Sequence, residues 1–191
     1  VLAVTKGFGV DAVEAALAVG LPSVGENYAQ ELLAKVDHHY DIVPSWHFIG
    51  RLQRNKVRQL APFVDVWQSV DRESLVAEIA RRAPGARVLI QLNLSNEPQK
   101  GGAPIEDAVP LVGAARAAGL DVVGLMGVAP AGPPEAARPG FRALVSLADE
   151  LSLPQRSIGM SHDLEVAVEE GSTMVRVGSA LFGARPTPTA S

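Results

Sequence analysis

Val1-Leu2-Ala3-Val4-Thr5-Lys6-Gly7 opens the chain. An apolar run rich in β-branched residues that meets one cation and then a glycine reads as a short strand with a turn behind it. Side chains alternate along a strand, so Leu2, Val4 and Lys6 share one face while Ala3 and Thr5 share the other. A lysine in line with core residues at a strand end either snorkels out of the rim or is held for chemistry. This stretch alone leaves both open.

Outward from it, the same alternation of strand and helix repeats. Pro22–Glu26, Trp46–Ile49, Val64–Ser69, Arg87–Asn93, Asp121–Met126, Arg156–Gly159 and Thr173–Val177 read as seven further strands. Helices are predicted after Lys6 over 11–20, with Asp11 as N-cap and Gly20 as stop, and over 29–38, 55–60, 71–82, 105–118, 134–151 and 163–170. Eight strands with short intervening helices in 191 residues favour an α/β fold closed into one (β/α)8 TIM barrel over an open sheet. The domain is expected to span residues 1–183, with 184–191 as a disordered tail. No internal repeat is visible.

Composition narrows the function. Apolar residues make up 47% and charged residues 20%, ordinary for a soluble globular domain. A net charge of −4 gives no electrostatic case for nucleic acid or an anionic membrane. No apolar run is long enough to span a bilayer. The chain has no cysteine, so thiolate metal sites are unavailable and a cytoplasmic setting is favoured. His38 and His39 suit a helix C-terminus better than a metal site. With no apolar stripe evident on the helices, a monomer is expected.

In such a barrel chemistry gathers at the C-terminal ends of the strands. Gly25-Glu26-Asn27-Tyr28 follows the second strand, and His47 on the third leads into Gly50-Arg51-Leu52-Gln53-Arg54-Asn55-Lys56. Lys100-Gly101-Gly102 follows the fifth and reads as a glycine-hinged loop, either a lid or an inert turn. Gly159-Met160-Ser161-His162-Asp163 follows the seventh, and Arg176-Val177-Gly178-Ser179 ends the eighth. Ser161 before a helix, with the small-residue turn Gly178-Ser179 beside it, fits an anion; alone, Ser161 and Asp163 would only cap a helix. Arg176 shares a face with Met174 and is expected to point into the barrel. There it is either ion-paired, with Glu26 or Asp163, or a fixed donor towards an uncharged ring nitrogen. The Arg51, Arg54, Lys56, Arg58 run reads as a solvated helix face, with an anionic partner as the sharper alternative. Trp46 and Trp67 read as core.

These residues together resemble the YggS/PROSC family of pyridoxal phosphate homeostasis proteins, whose barrel is similar to the alanine racemase N-terminal domain. The resemblance rests on Ala3-Val4-Thr5-Lys6, Gly25-Glu26-Asn27-Tyr28, Trp46-His47-Phe48-Ile49-Gly50 with Leu52-Gln53 and Asn55-Lys56, Gly159-Met160-Ser161-x-Asp163, and Gly171-Ser172-Thr173-x-Val175-Arg176-Val177-Gly178-Ser179-Ala180-Leu181-Phe182-Gly183. It covers nearly the whole chain in order. The family helix that precedes the lysine strand is missing from this chain, and Ser179 stands where threonine is usual.

The resemblance implies pyridoxal 5′-phosphate (PLP) held as a Schiff base on Lys6. Its phosphate would lie on Ser161 and the Gly178-Ser179 turn, with backbone from Met160. Arg176 would face the pyridine nitrogen, and Asn27 and His47 would lie near the ring. An arginine there leaves the nitrogen unprotonated and weakens the ring as an electron sink. The resembling racemases take a second acid/base tyrosine from an additional domain, whereas this chain has only Tyr28 and Tyr40. The expectation is therefore a PLP carrier or buffer with little turnover, serving PLP-requiring apo-enzymes. A weak amino-acid racemase using Tyr28 or His47, and an aldolase using Lys6 on a phosphorylated sugar, are the alternatives.

Overall fold

A computed structural model describes residues 1–95, 97 and 100–184. Its strands are β1 (Leu2–Val4), β2 (Ser23–Glu26), β3 (Ser45–Phe48), β4 (Val66–Val70), β5 (Arg87–Asn93), β6 (Asp121–Val128), β7 (Gln155–Met160) and β8 (Met174–Val177). They pair in sequence order into a closed barrel. Every pairing is parallel, and β1 closes the ring by meeting β2 at Ala3↔Val24 and β8 at Leu2↔Arg176. The helices between them are α1 (Val10–Ala18), α2 (Ala29–Val36), α3 (Arg54–Leu60), α4 (Glu73–Arg82), α5 (Ala108–Ala117), α6 (Arg138–Glu150) and α7 (Leu164–Glu169), with a one-turn α8 (Ser179–Phe182) at the end.

The main core lies between barrel and helices, because parallel strands covered on both faces bury both sets of side chains. Ala3, Trp46, Trp67 and Ile90 of the strands meet Leu32, Ile79, Phe141 and Leu144 of the helices. A smaller cluster of Val66, Leu89 and Met126 is separate from it and belongs to the opposite, inward face of β4, β5 and β6. The expected eight-stranded closure is therefore what the chain adopts, and both tryptophans are core as read.

Several boundaries shift for local reasons. Helix α1 begins at Val10 with Gly9 as its N-cap, and Asp11 lies in the first turn, where its charge favours the helix dipole instead of capping it. The helices expected from Ile105 and Pro134 each begin as a 3₁₀ turn, Ile105–Asp107 and Pro134–Ala137, before α5 and α6 take over. Pro110 and Pro139 sit in the opening turns of these helices, where a missing N–H costs nothing. Asp65, read as part of the fourth strand, instead precedes β4 and accepts the Trp46 N–H at 2.8 Å, tying the start of β3. The expected tail beyond Ala184 lies outside the described residues, as do Asn96, Pro98 and Gln99 of the loop after β5. No helix among the described residues is long and apolar enough to cross a membrane.

Candidate functional site

The C-terminal mouth of the barrel holds a cavity of about 1270 Å³. Lys6, Asn27, Met160, Ser161, Arg176, Gly178 and Ser179 all line it, although residues 6 and 179 are far apart in sequence. What brings them together is ring closure, since β8 lies directly beside β1.

Lys6 sits two residues past β1, and both peptide groups that flank it are gripped by α2. The Lys35 ammonium donates to the Thr5 carbonyl at 2.8 Å, and the Gly7 N–H donates to the Glu31 carboxylate at 2.7 Å. Glu31 and Lys35 are one turn apart and so share a helix face. Lys35 also donates to Glu26 Oε1 at 2.5 Å, and the Thr5 hydroxyl donates to the same oxygen at 2.6 Å. Glu26 and Lys35 are both buried. Burial pushes the Glu26 carboxyl above its ordinary range, while the hydrogen bonds from Lys35 and Thr5 pull it back. Sequence inspection misses Lys35 and Glu31, because a Glu and a Lys four residues apart on a helix read as a solvated surface pair. Only the fold shows that this face is turned inward.

Arg176 points into the barrel, as its strand phase predicts, but not towards Glu26, whose side chain is committed to α2. Its Nη1 donates to the Ser157 carbonyl at 2.5 Å and to the Ser157 hydroxyl at 2.9 Å, and its Nη2 donates to the Gly127 carbonyl at 2.8 Å. Of the two readings left open for Arg176, the ion pair is replaced by neutral acceptors. Asp163, the other candidate partner, accepts the Met160 N–H at 2.6 Å and reaches Arg176 only through its field. Burial lowers the guanidinium to about 10, with Asp163 pulling the other way. A guanidinium carries five N–H donors. No acceptor among the described residues takes the Arg176 Nε–H, which leaves donor capacity for the cavity that Arg176 lines.

At the neighbouring turns, the Ala180 N–H donates to the Ser161 hydroxyl at 3.4 Å, which links the turn after β7 to the one after β8. Gly178 packs so closely that an added Cβ would stand 3.1 Å from the Val4 carbonyl oxygen. The Met160 amide, expected to face an anion, is already spent on Asp163. Ser161 and Ser179, both small hydroxyl residues, line the cavity at this corner.

Across the mouth, Asn27 Oδ1 is buried without a hydrogen-bond partner among the described residues. An unsatisfied buried acceptor costs about 1–3 kcal/mol, which a ligand donor would recover. Its backbone is fixed by Gly50, where any Cβ would fall 1.9 Å from the Asn27 carbonyl oxygen. His47 does not line the cavity. It is buried below it, with Nδ1 2.7 Å from Gln68 Nε2, and burial, with Arg87 adding to it, drives its imidazole down to about 4. Tyr28 lines the mouth and is exposed, whereas Tyr40 donates to the Lys35 carbonyl at 3.0 Å behind α2.

The loop after β5 closes part of the rim. Lys100 donates to Glu97 at 2.6 Å and to the Ala129 carbonyl at 2.9 Å, so it staples this loop to the one after β6. Gly101 and Gly102 take φ of 68° and 99°. The Ala103 N–H bonds the Gln91 carbonyl at 2.8 Å, so the turn is stitched to β5 and lines the mouth. Of the basic run, Arg51 and Lys56 line the cavity, whereas Arg54 and Arg58 are exposed outside it. His38 pairs with Glu14 at 2.8 Å, and no metal-binding cluster exists among the described residues.

A closed parallel barrel with a lysine past β1 and an inward arginine on β8 defines a class, and comparison agrees: residues 1–186 match the model of the alanine racemase N-terminal domain. Within that class, the chain belongs to the pyridoxal phosphate homeostasis protein family. It is 44% identical over 178 residues to the pyridoxal phosphate homeostasis protein of Aquifex aeolicus, covering 87% of this chain and 78% of that one. The same-named protein of Pseudomonas aeruginosa is 40% identical over 192 residues, covering 96% and 84%. Among solved structures, PipY of Synechococcus elongatus with PLP bound is 31% identical, with a TM-score of 0.88 over 96% of this chain and 92% of its own. Alanine racemase of Clostridium difficile, at 14% identity and a TM-score of 0.80 over 98% of this chain and 55% of that one, shares the fold.

Proposed function

We propose that the chain binds PLP covalently on Lys6 and serves PLP homeostasis inside the cell, with little or no catalytic turnover. The observation that carries this is Arg176: a buried cation held from beneath by neutral acceptors, with donor capacity directed at a cavity that also contains Lys6. Arginine does not deprotonate under these conditions, so the atom it faces must be an acceptor. An unprotonated pyridine nitrogen meets that requirement. PLP supplies an aldehyde that condenses with a primary amine and, where its ring nitrogen is protonated, a strong electron sink. Arg176 withholds the second property.

The remaining residues fit the same group. Ser161, Gly178 and Ser179 would hold the phosphate and Asn27 would accept from the ring side. The structure of PipY with PLP bound supports the cofactor choice. As a second base for racemisation, His47 is disfavoured by its burial, its engagement with Gln68 and a low pKa. Tyr28, exposed on the mouth, keeps the racemase alternative open to experiment. The large apolar residues left exposed, such as Val19, the adjacent pair Ile42 and Val43, Val109 and Val168, are spread over separate parts of the chain, which supports a monomer. PLP-requiring apo-enzymes are the recipients this function calls for, and the cytoplasm is the compartment where they would meet.

Absorbance with borohydride reduction and peptide mass mapping, on wild type and Lys6→Ala, tests the assignment. A yellow protein with the pyridoxyl group on Lys6 is expected. A colourless protein trapped instead by a phosphorylated sugar would transfer Lys6 to aldolase chemistry. Exchange of an amino acid α-proton with deuterated solvent at enzymatic rates would establish the racemase.

A further inference from the structure

Four buried polar side chains run through the barrel interior as one hydrogen-bonded file below the mouth. Arg176 Nη1 donates to Ser157 Oγ at 2.9 Å, Ser157 Oγ donates to Gln68 Oε1 at 2.7 Å, and Gln68 Nε2 donates to His47 Nδ1 at 2.7 Å. Gln68 Nε2 also lies 3.2 Å from Met174 Sδ. Ser157 and Gln68 are fully buried, and His47 and Arg176 are each 4% exposed. Barrel interiors are ordinarily filled with branched apolar residues, as Val66 and Leu89 do here. A polar file in that place is costly unless every member is satisfied.

Its members are satisfied in one direction only. Arginine can only donate, and a neutral imidazole with its proton on Nε2 can accept at Nδ1. Between these ends, Gln68 has its amide orientation set, and the Ser157 hydroxyl has its rotor set so that a lone pair faces Arg176. Without Gln68 the hydroxyl loses the acceptor that orients it, and without the His47 acceptor the Gln68 amide keeps only the weak Met174 sulfur contact to hold its orientation.

The chemistry of the file matters as much as its geometry. The ordinary partner of a buried arginine is a carboxylate, which would cancel the charge from beneath. A file of neutral dipoles fixes the guanidinium without a carboxylate in direct contact, so its charge is not cancelled from beneath.

We propose that His47 and Gln68 are positioning residues for Arg176, acting through the Ser157 hydroxyl to hold a fully charged donor against the ligand atom above it. His47 thereby belongs to the site without touching the ring. The part of this inference that concerns the ligand rests on PLP binding as proposed above; the part that concerns Arg176 does not.

The test uses the full chain and the variants Gln68→Met, His47→Phe and His47→Gln, the last of which restores an acceptor. In the ligand-free protein, hydrogen exchange of the Arg176 guanidinium is followed by NMR. Gln68→Met and His47→Phe are expected to speed it roughly tenfold, the equivalent of one buried hydrogen bond, while His47→Gln stays within about twofold of wild type. In PLP-loaded protein, the same two variants should weaken PLP retention roughly tenfold and shift the ¹⁵N resonance of the labelled ring nitrogen, with the pyridoxyl group still on Lys6. Wild-type exchange in both disrupting variants would overturn the proposal, as would failure of His47→Gln to rescue. Should one disrupting variant not fold, Ser157→Ala replaces it with the same expectation. If the pyridoxyl group is absent from Lys6, the functional proposal fails, and guanidinium exchange still decides the role of the file.

Discussion

Replacing Lys35 with methionine removes the ammonium that grips the Thr5 carbonyl and neutralises Glu26, while nearly preserving side-chain length. Glu26 is wholly buried, and its Oε2 already lacks a hydrogen-bond partner among the described residues. Losing Lys35 leaves Oε1 with the Thr5 hydroxyl alone. Removing one member of a buried ion pair costs about 3–5 kcal/mol, because the remaining charge is stranded. Most of this should return in Lys35→Met/Glu26→Gln, since removing both charges is close to neutral. Urea unfolding of the four proteins at pH 7 gives the cycle. The sign of the pH dependence adds a second check. A carboxyl whose folded-state pKa lies above its unfolded value binds more protons when folded, so its stability contribution falls as pH rises through that interval. Without Lys35 the interval widens upward, so Lys35→Met should be more destabilised at pH 8 than at pH 5. A loss under about 1 kcal/mol at pH 7, or a double variant no better than the single, would refute the clamp around Lys6.

Lys6→Ala should retain no borohydride-trapped PLP and lose its colour, with unfolding changed by less than about 1 kcal/mol because the side chain is only partly buried. Gly50→Ala would put a Cβ 1.9 Å from the Asn27 carbonyl oxygen and should cost about 3 kcal/mol in urea unfolding while reducing PLP retention. His47, lowered to about 4, stays neutral in the folded protein while the unfolded chain protonates near pH 6.5. Stability should therefore fall as pH drops from 6.5 towards 4, by about 3 kcal/mol from this group, and His47→Gln should flatten that slope in denaturant titrations across the range.

The barrel was legible because its signal is distributed: eight buried strands and their helices each declare themselves through apolar runs and glycine or proline breaks. Boundaries were less so where proline allowed a 3₁₀ turn to lead a helix, as at Pro134. Lys6, Ser161, Gly178, Ser179 and Asn27 could be placed at the mouth because each follows the end of a predicted strand in a barrel. Met160 could not be judged, because which carboxylate claims its amide depends on the turn that Asp163 makes. Gln68 and Ser157 were not singled out, although polar residues within apolar strands, in Val66-Trp67-Gln68-Ser69-Val70 and Arg156-Ser157-Ile158, call for partners. Their partners lie up to 89 residues away and across the ring, so no local pattern names them. Lys35 shows the opposite case, a residue whose type suggests solvent and whose burial is decided by the helix packing on β2.

Because β1 and β8 lie side by side, Lys6 and Arg176 enter one cavity from the two strands that meet where the ring shuts. The pocket thus takes its lysine and its arginine from opposite sides of one strand pairing, so fraying of that pairing would pull the two apart. A ligand gripping both sides would act as a rivet through that seam, so its binding should slow opening of the barrel there.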